Sequence, residues 1–223
     1  MNVDLLRDEL VSTLGNNIMC LVHTGSRARG EAKPDSDYDF TLIVREIDRG
    51  VLNDIRDALS AFTSISVYIL DENDLMYFPR AMNLQFVHSK TLYGECDFPT
   101  PDAKDIDRYV NRVRRDEIDI LRHYLTLPHE GVKLVGRGAL SLKQAYICLT
   151  YLVYRETGVL PKTRLETINY IEKKASHGLG TKLLRIYENW STEEGSISNN
   201  PHELLHMLEK FWRTLTPCNF STK

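Results

Sequence analysis

The chain has 223 residues, of which 42% are hydrophobic and 26% charged, enough apolar material for one large or two small packed domains. Its formal net charge of -3 excludes a general electrostatic attraction to nucleic acid or to an anionic membrane. No stretch reaches the roughly 18 apolar residues of a membrane span, and the first residues lack the basic start and apolar run of a signal peptide. We therefore expect a cytoplasmic protein with no membrane partner.

The first half of the chain alternates between helical and strand patterns. Apolar residues recurring at helical spacing predict helices at 3–14, 51–62 and 71–78. Short apolar runs predict buried strands at 18–22, 40–44 and 65–70, and an edge strand at 91–93. This order of elements predicts a small mixed sheet flanked by helices.

Helical patterns dominate after the segment DFPTPDAK, whose two prolines mark the predicted domain boundary. The predicted helices of this second half span 102–127, 139–157, 162–175, 179–190 and 201–215. We therefore expect an α+β protein. A mixed-sheet domain at residues 1–98 is followed by an all-α helical bundle at 99–223.

The segment with a chemical use is IMCLVHTGSRARGEAKPDSDYDFTLIV, residues 18–44. Gly25 ends an apolar strand, where glycine allows a sharp turn and the amides of a following helix can bind phosphate oxygens; Ser26 adds a hydroxyl. Asp37 and Asp39 are two residues apart, so on an extended strand their carboxylates point to the same face. Two such ligands, completed by triphosphate oxygens and water, suit Mg²⁺.

Each half of this segment also has an ordinary explanation. A Gly-Ser pair is a common turn, and aspartates are common where a loop enters a strand. Their joint occurrence between consecutive apolar strands, with eleven residues from Ser26 to Asp37, favours a nucleotide site.

The residues GSRARGEAKPDSDYDF resemble the signature of the polymerase-beta-like nucleotidyltransferase superfamily, in its branch of minimal and aminoglycoside nucleotidyltransferases. The resemblance is specific over residues 18–44 and extends, by order of elements, over residues 1–95. The helical second half resembles more loosely the helical domain that follows in such enzymes and contributes to their acceptor site.

The resemblance implies a role for five residues. Asp37 and Asp39 would be the catalytic carboxylates and the ligands of Mg²⁺, and Gly25 and Ser26 would hold the triphosphate of ATP or another nucleotide. Arg29 matches a position that is often basic in the resistance enzymes and would contact phosphate.

One departure from the family pattern lies on the next strand, where members usually place a third carboxylate. Here that strand reads ISVYIL, with Ser66 and Tyr68 at the alternating positions. Three interpretations stay open. The enzyme works with two carboxylates, or an acid of the helical half such as Glu117, Glu156 or Glu166 fills the gap, or the site binds nucleotide without turnover.

The leading hypothesis is therefore Mg²⁺-dependent transfer of a nucleotidyl group, with adenylyl favoured, from a triphosphate to a hydroxyl acceptor. A small-molecule acceptor is favoured over a protein or RNA, and a homodimer is left open. The alternative is a catalytically inactive nucleotide-binding module, regulatory or antitoxin-like, which binds the triphosphate and does not consume it.

Overall fold

The computed structural model describes residues 1–32, 34, 36–126, 131–174 and 201–215. The chain divides into two compact units, Met1–Thr100 and Pro101–Lys223. The first unit contains the sheet and the second is helical, which is the α+β class predicted from the sequence. The proline-rich segment named as the boundary in the sequence contains this division.

A four-stranded mixed sheet forms the centre of the first unit. Its strands are β1 (Ile18–Thr24), β2 (Tyr38–Val44), β3 (Ile65–Asp71) and β4 (Lys90–Gly94). Their order in the sheet is β3-β2-β1-β4, with β1 antiparallel to both β2 and β4, and β2 parallel to β3. All four strands lie where the apolar runs predict them, with their ends extended by one or two residues.

The helices of the first unit are α1 (Val3–Leu14), α2 (Gly25–Arg29), α3 (Arg49–Leu59) and α4 (Glu72–Tyr77). Short 3-10 helical segments lie at Gly15–Asn17 and Arg80–Phe86. Side-chain caps fix where α1, α3 and α4 begin; at the start of α1, for example, Asn2 accepts the Asp4 amide at 3.0 Å. The helix α3 supplies the crossover that the parallel pair β2 and β3 requires.

The two faces of the sheet carry different side chains because residues alternate along each strand. One face packs against α1 and α3 in a core that includes Leu6, Leu10, Leu21, Phe40 and Ile55. The opposite face carries a smaller apolar cluster, formed by Cys20, Val22, Ile43, Leu70 and Phe86. This second face becomes polar toward the end of β1, where Thr24, Asp39 and Ser66 lie side by side on neighbouring strands.

The helical unit contains α5 (Ala103–Thr126), α6 (Gly131–Thr157), α7 (Arg164–Lys174) and α8 (Pro201–Thr214). The helices α5, α6 and α8 pack against one another, and α7 packs on α6. The predicted helix at 179–190 lies outside the described residues. None of the described helices combines the length and the apolar character needed to cross a membrane.

Candidate active site

The turn at Gly25 brings a carboxylate against the backbone. Gly25 has a φ of +73°, a value that favours glycine. A Cβ atom added there would lie 1.9 Å from Oδ2 of Asp39. The Asp39 carboxylate therefore occupies the space that any other side chain at residue 25 would need, and the first turn of α2 and this carboxylate form one cradle.

The pairing of β1 with β2 explains this proximity. Asp39 is the second residue of β2 and lies opposite Thr24, the last residue of β1, whose hydroxyl donates to the Asp39 carbonyl oxygen at 3.3 Å. Asp37 comes one residue before β2 and is exposed, whereas Asp39 is half-buried. The structure thus brings Gly25, Ser26 and Asp39 to one end of the sheet, with Asp37 at the entry to the same strand.

Arg29, the third predicted nucleotide-binding residue, already has a partner. Its Nε donates to Oε2 of Glu31 at 2.9 Å. Gly30 closes α2 in the left-handed region with a φ of +77°, and the Glu31 amide donates to the Ser26 carbonyl oxygen at 2.8 Å. The Arg29 guanidinium is therefore held beside the end of α2 by an acid of the same loop.

Arg27 is the basic residue that the sequence did not single out. Its guanidinium turns back onto the loop before β2, where it donates to the carbonyl oxygens of Pro34 and Ser36 and covers the ring of Tyr38. The GSRARG sequence offers no pattern that distinguishes this inward arginine from Arg29, because the difference lies in the path of the loop.

The strand β3, described throughout, places no carboxylate beside Asp39. Ser66 is the residue paired with Asp39, and Tyr68 is paired with Thr41 one row further along the same face. Ser66 is exposed, and the side chain of Tyr68 is 51% exposed. The first acid at the end of this strand, Asp71, accepts the amide of Asp74 at 2.7 Å and caps α4. The departure seen in the sequence is thus a neutral surface in the structure.

The acids of the helical half that were candidates to fill this gap all have structural partners in their own unit. Glu117 is buried and forms an ion pair with Arg137. Glu156 accepts from Arg155 at 2.8 Å. Glu166 accepts a backbone amide at the start of α7 at 2.7 Å. These contacts give all three acids an architectural role within the helical unit.

His23 is a buried base behind the site. It lies on the core face of β1, with its ring stacked on those of Phe40 and Tyr38 at centroid distances of 5.1 and 5.8 Å. Burial lowers the pKa of His23 most, and the nearby charges of Lys90 and Arg27 lower it further. Its Nε2 finds no hydrogen-bond partner among the described residues. This environment favours the neutral imidazole.

The donor set fits a metal ion that is shared with a ligand. Among the described residues, no group of three or more His, Cys, Asp or Glu side chains is placed to hold a metal ion by itself. Asp37 and Asp39 offer hard carboxylate oxygens, which Mg²⁺ prefers in combination with phosphate oxygens and water. The Asp39 carboxylate lies directly against the Gly25 turn, so a cation bound by Asp39 would lie close to the backbone at the start of α2.

The arrangement of the sheet unit and of the helical unit that follows it is also found in a solved structure. Spectinomycin adenyltransferase AAD(9) from Enterococcus faecialis, solved with ATP and spectinomycin, is similar over 95% of this chain and 98% of its own, with a TM-score of 0.61 and 15% identity. This similarity confirms the fold that the sequence resemblance implies.

A solved toxin-antitoxin with AMP-PNP is also similar, over 56% of this chain and 100% of that one, with a TM-score of 0.33 and 16% identity. At the level of sequence, no family model and no curated protein matches this chain.

Proposed function

We propose that the chain is a Mg²⁺-dependent nucleotidyltransferase, which transfers an adenylyl group from ATP to a hydroxyl of a small molecule. The observation that carries this proposal is the contact between the Asp39 carboxylate and the Gly25 turn. It joins a carboxylate that can bind a cation to a glycine turn at the start of a helix, where backbone amides can bind phosphate, and these are the two halves of a site for a metal-bound triphosphate.

Each residue has a defined task in this proposal. Asp37 and Asp39 would hold Mg²⁺, which on binding neutralises charge on the phosphate oxygens. The Gly25 backbone and the Ser26 hydroxyl would bind the outer phosphates, because both lie at the end of β1 next to Asp39. Arg29 would add positive charge at the end of α2, sharing its guanidinium between phosphate and Glu31.

The order of the strands suggests which reactant lies where. In phosphoryl transfer the attacking and leaving oxygens lie roughly in line. If pyrophosphate leaves on the side of β1, at Gly25 and Ser26, and the α-phosphate lies at β2, the attacking hydroxyl approaches from β3. Ser66 and Tyr68 would then form the acceptor side of the site.

A neutral acceptor side bears on the mechanism. Ser66 offers a hydroxyl and Tyr68 a half-exposed ring, a surface suited to a small polyhydroxylated molecule. With no acid at this position, most of the acceleration would come from positioning of the reactants and from charge neutralisation by the Mg²⁺ that the two aspartates would hold. That AAD(9) was solved with spectinomycin supports the proposal of a small acceptor.

A second function is favoured by the same neutral surface. A regulatory or antitoxin-like module would bind the triphosphate at Gly25 and Asp39 and would not need an acid beside the acceptor. The two functions differ in one observable, since this module never releases pyrophosphate.

The discriminating experiment measures pyrophosphate release by the purified chain with Mg²⁺, each of the four nucleoside triphosphates and a pool of aminocyclitol and aminoglycoside acceptors. The double substitution Asp37→Asn with Asp39→Asn is the blank. Asp8→Asn, which alters an exposed acid on α1, is the matched control. Release that only the blank loses supports the transferase, and triphosphate binding without release across the pool supports the regulatory module.

A further inference from the structure

The guanidinium of Arg27 makes three hydrogen bonds and one ring contact with the loop that leads into β2. Its Nε donates to the carbonyl oxygen of Ser36 at 2.8 Å, and its Nη2 donates to the same oxygen at 2.5 Å and to that of Pro34 at 3.2 Å. Its Cζ lies 4.2 Å from the centre of the Tyr38 ring. A single side chain on α2 thus binds the loop at three residues.

These contacts fall on both neighbours of Asp37. Ser36 precedes it and Tyr38 follows it, and the same guanidinium holds the two residues. The Tyr38 amide also donates to the carbonyl oxygen of Ser64 at 2.8 Å, which fixes the start of β2 against the start of β3. The backbone on either side of Asp37 is therefore held by contacts that leave its carboxylate exposed.

The contact with Tyr38 continues into the core. The Tyr38 ring stacks with that of His23, and His23 stacks with Phe40, which is almost completely buried. The guanidinium therefore rests on a column of rings that ends in the packed face of the sheet. Arg27 thus acts as a clamp between these rings and the loop. Because the packed core holds the rings in place, the clamp also restrains the loop.

We propose that Arg27 is a positioning residue, which holds the entry to β2 so that the Asp37 carboxylate stays in place beside Asp39 to bind a divalent cation. This inference rests on the proposed function, because it takes the two aspartates as the cation ligands. Residues that orient metal ligands commonly contribute about 10- to 100-fold to metal affinity.

The chemistry of the contacts requires an arginine. A planar guanidinium can donate to two carbonyl oxygens and lie flat on an aromatic ring at the same time, whereas a lysine ammonium is a compact point charge on a flexible stem. Arg27→Lys therefore keeps the positive charge and loses the geometry. If Arg27 served only to attract phosphate through its charge, lysine would largely replace it.

The test measures Mn²⁺ binding to the full chain without nucleotide. Binding is monitored as the loss of the electron paramagnetic resonance signal of the free ion. We expect Arg27→Lys to weaken Mn²⁺ binding by about 10-fold or more. Arg7→Lys, which changes an ion-paired arginine on α1 in the same way, should stay within about twofold of the wild type. Wild-type affinity in a folded Arg27→Lys variant would overturn the proposal.

Two further measurements distinguish failure of the proposed cation site from failure of the proposed role of Arg27. The Asp37→Asn, Asp39→Asn double variant must lose Mn²⁺ binding; if it binds as the wild type does, the cation site of the proposed function is wrong and the role of Arg27 falls with it. If Arg27→Lys does not fold, Arg27→Ala is titrated with Mn²⁺ in the presence of ethylguanidinium, with ethylammonium as the matched control. Recovery with ethylguanidinium alone supports the clamp, and equal recovery or none overturns it.

Discussion

The acids considered for the active site have different surroundings in the two units of the chain. In the sheet unit, Asp37 is exposed and Asp39 is half-buried, at the entry to β2 beside a glycine turn. In the helical unit, Glu117 is buried in an ion pair with Arg137, and Arg155 forms an ion pair with Asp107 at 2.7 Å between α5 and α6.

This difference distinguishes carboxylates that are available to bind a cation from carboxylates that stabilise the fold. A carboxylate that is buried beside an arginine is neutralised by that partner within the fold. Removing one member of the pair leaves an uncompensated buried charge. An exposed carboxylate, such as that of Asp37, keeps its oxygens accessible to a cation. Substitutions in the sheet site should therefore impair activity more than stability, and substitutions in the helical unit should do the reverse.

Among substitutions that keep both proposed cation ligands, Gly25→Ala should have the largest effect on activity. The new Cβ would collide with Oδ2 of Asp39, so the carboxylate must move, and we expect transferase activity to fall by about 100-fold or more. Gly30→Ala is the matched control, because Gly30 also has a positive φ but a Cβ there meets open space. It should cost about 1 kcal/mol of stability and keep most of the activity. Comparable activity losses in the two variants would contradict the claim that activity depends on the contact between Gly25 and Asp39.

The largest expected effect on stability comes from Glu117→Gln in the helical unit. Loss of the buried carboxylate leaves the Arg137 charge without its partner, and we expect about 3 kcal/mol of destabilisation. Asp116→Asn, at the neighbouring exposed position, should change stability by less than about 0.5 kcal/mol. Urea unfolding measures both. Activity per folded molecule should not change, and its loss in Glu117→Gln would give this acid a chemical role.

A smaller effect is expected where α6 meets α8. The Nε1 of Trp212 donates to Oγ of Ser141 at 2.9 Å, and both residues are fully buried. Ser141→Ala leaves this indole N–H without an acceptor and should cost about 1 to 2 kcal/mol. In a Trp212→Phe background the same substitution should cost much less, because no donor remains. Additive losses of stability in that double-mutant cycle would contradict a stabilising hydrogen bond between Trp212 and Ser141.

The smallest expected effect is the pH dependence of stability caused by His23. Its pKa is lowered in the folded state, so the unfolded chain binds the proton more readily. This contribution to stability is full above the unfolded pKa of about 6.5 and is lost as the pH falls below it. Urea midpoints at pH 7.5, 6.5 and 5.5 should fall less steeply for His23→Phe than for the wild type. Equal pH dependence of the urea midpoint in the two proteins would contradict the lowered pKa of His23.

The regular elements could be predicted because their signals are local. The apolar runs and helical spacings place β1 to β4 and the ends of α1 within two residues. The helix α6 differs, since it begins at Gly131 and not at residue 139. Glycines at 136 and 138 weaken the local helical signal, but burial of Leu134 and the bond of Arg137 to Glu117 stabilise this part through tertiary packing.

The candidate site was predictable where it depends on strand pairing and not where it depends on a loop. The approach of Asp39 to Gly25 follows from two consecutive antiparallel strands. The inward turn of Arg27 depends on the three-dimensional path from α2 to β2, which no periodic pattern encodes. The family resemblance singled out Arg29, whereas its pairing with Glu31 is a feature of the structure alone.

In the proposed function, Asp37 and Asp39 hold a metal-bound triphosphate against the Gly25 turn. Its most direct test is a crystal structure with Mn²⁺ and a non-hydrolysable ATP analogue, with data collected for the anomalous signal of manganese. We expect an anomalous peak bound by both aspartates, with phosphate oxygens at Gly25 and Ser26. A peak elsewhere, or a triphosphate bound away from this turn, would contradict it.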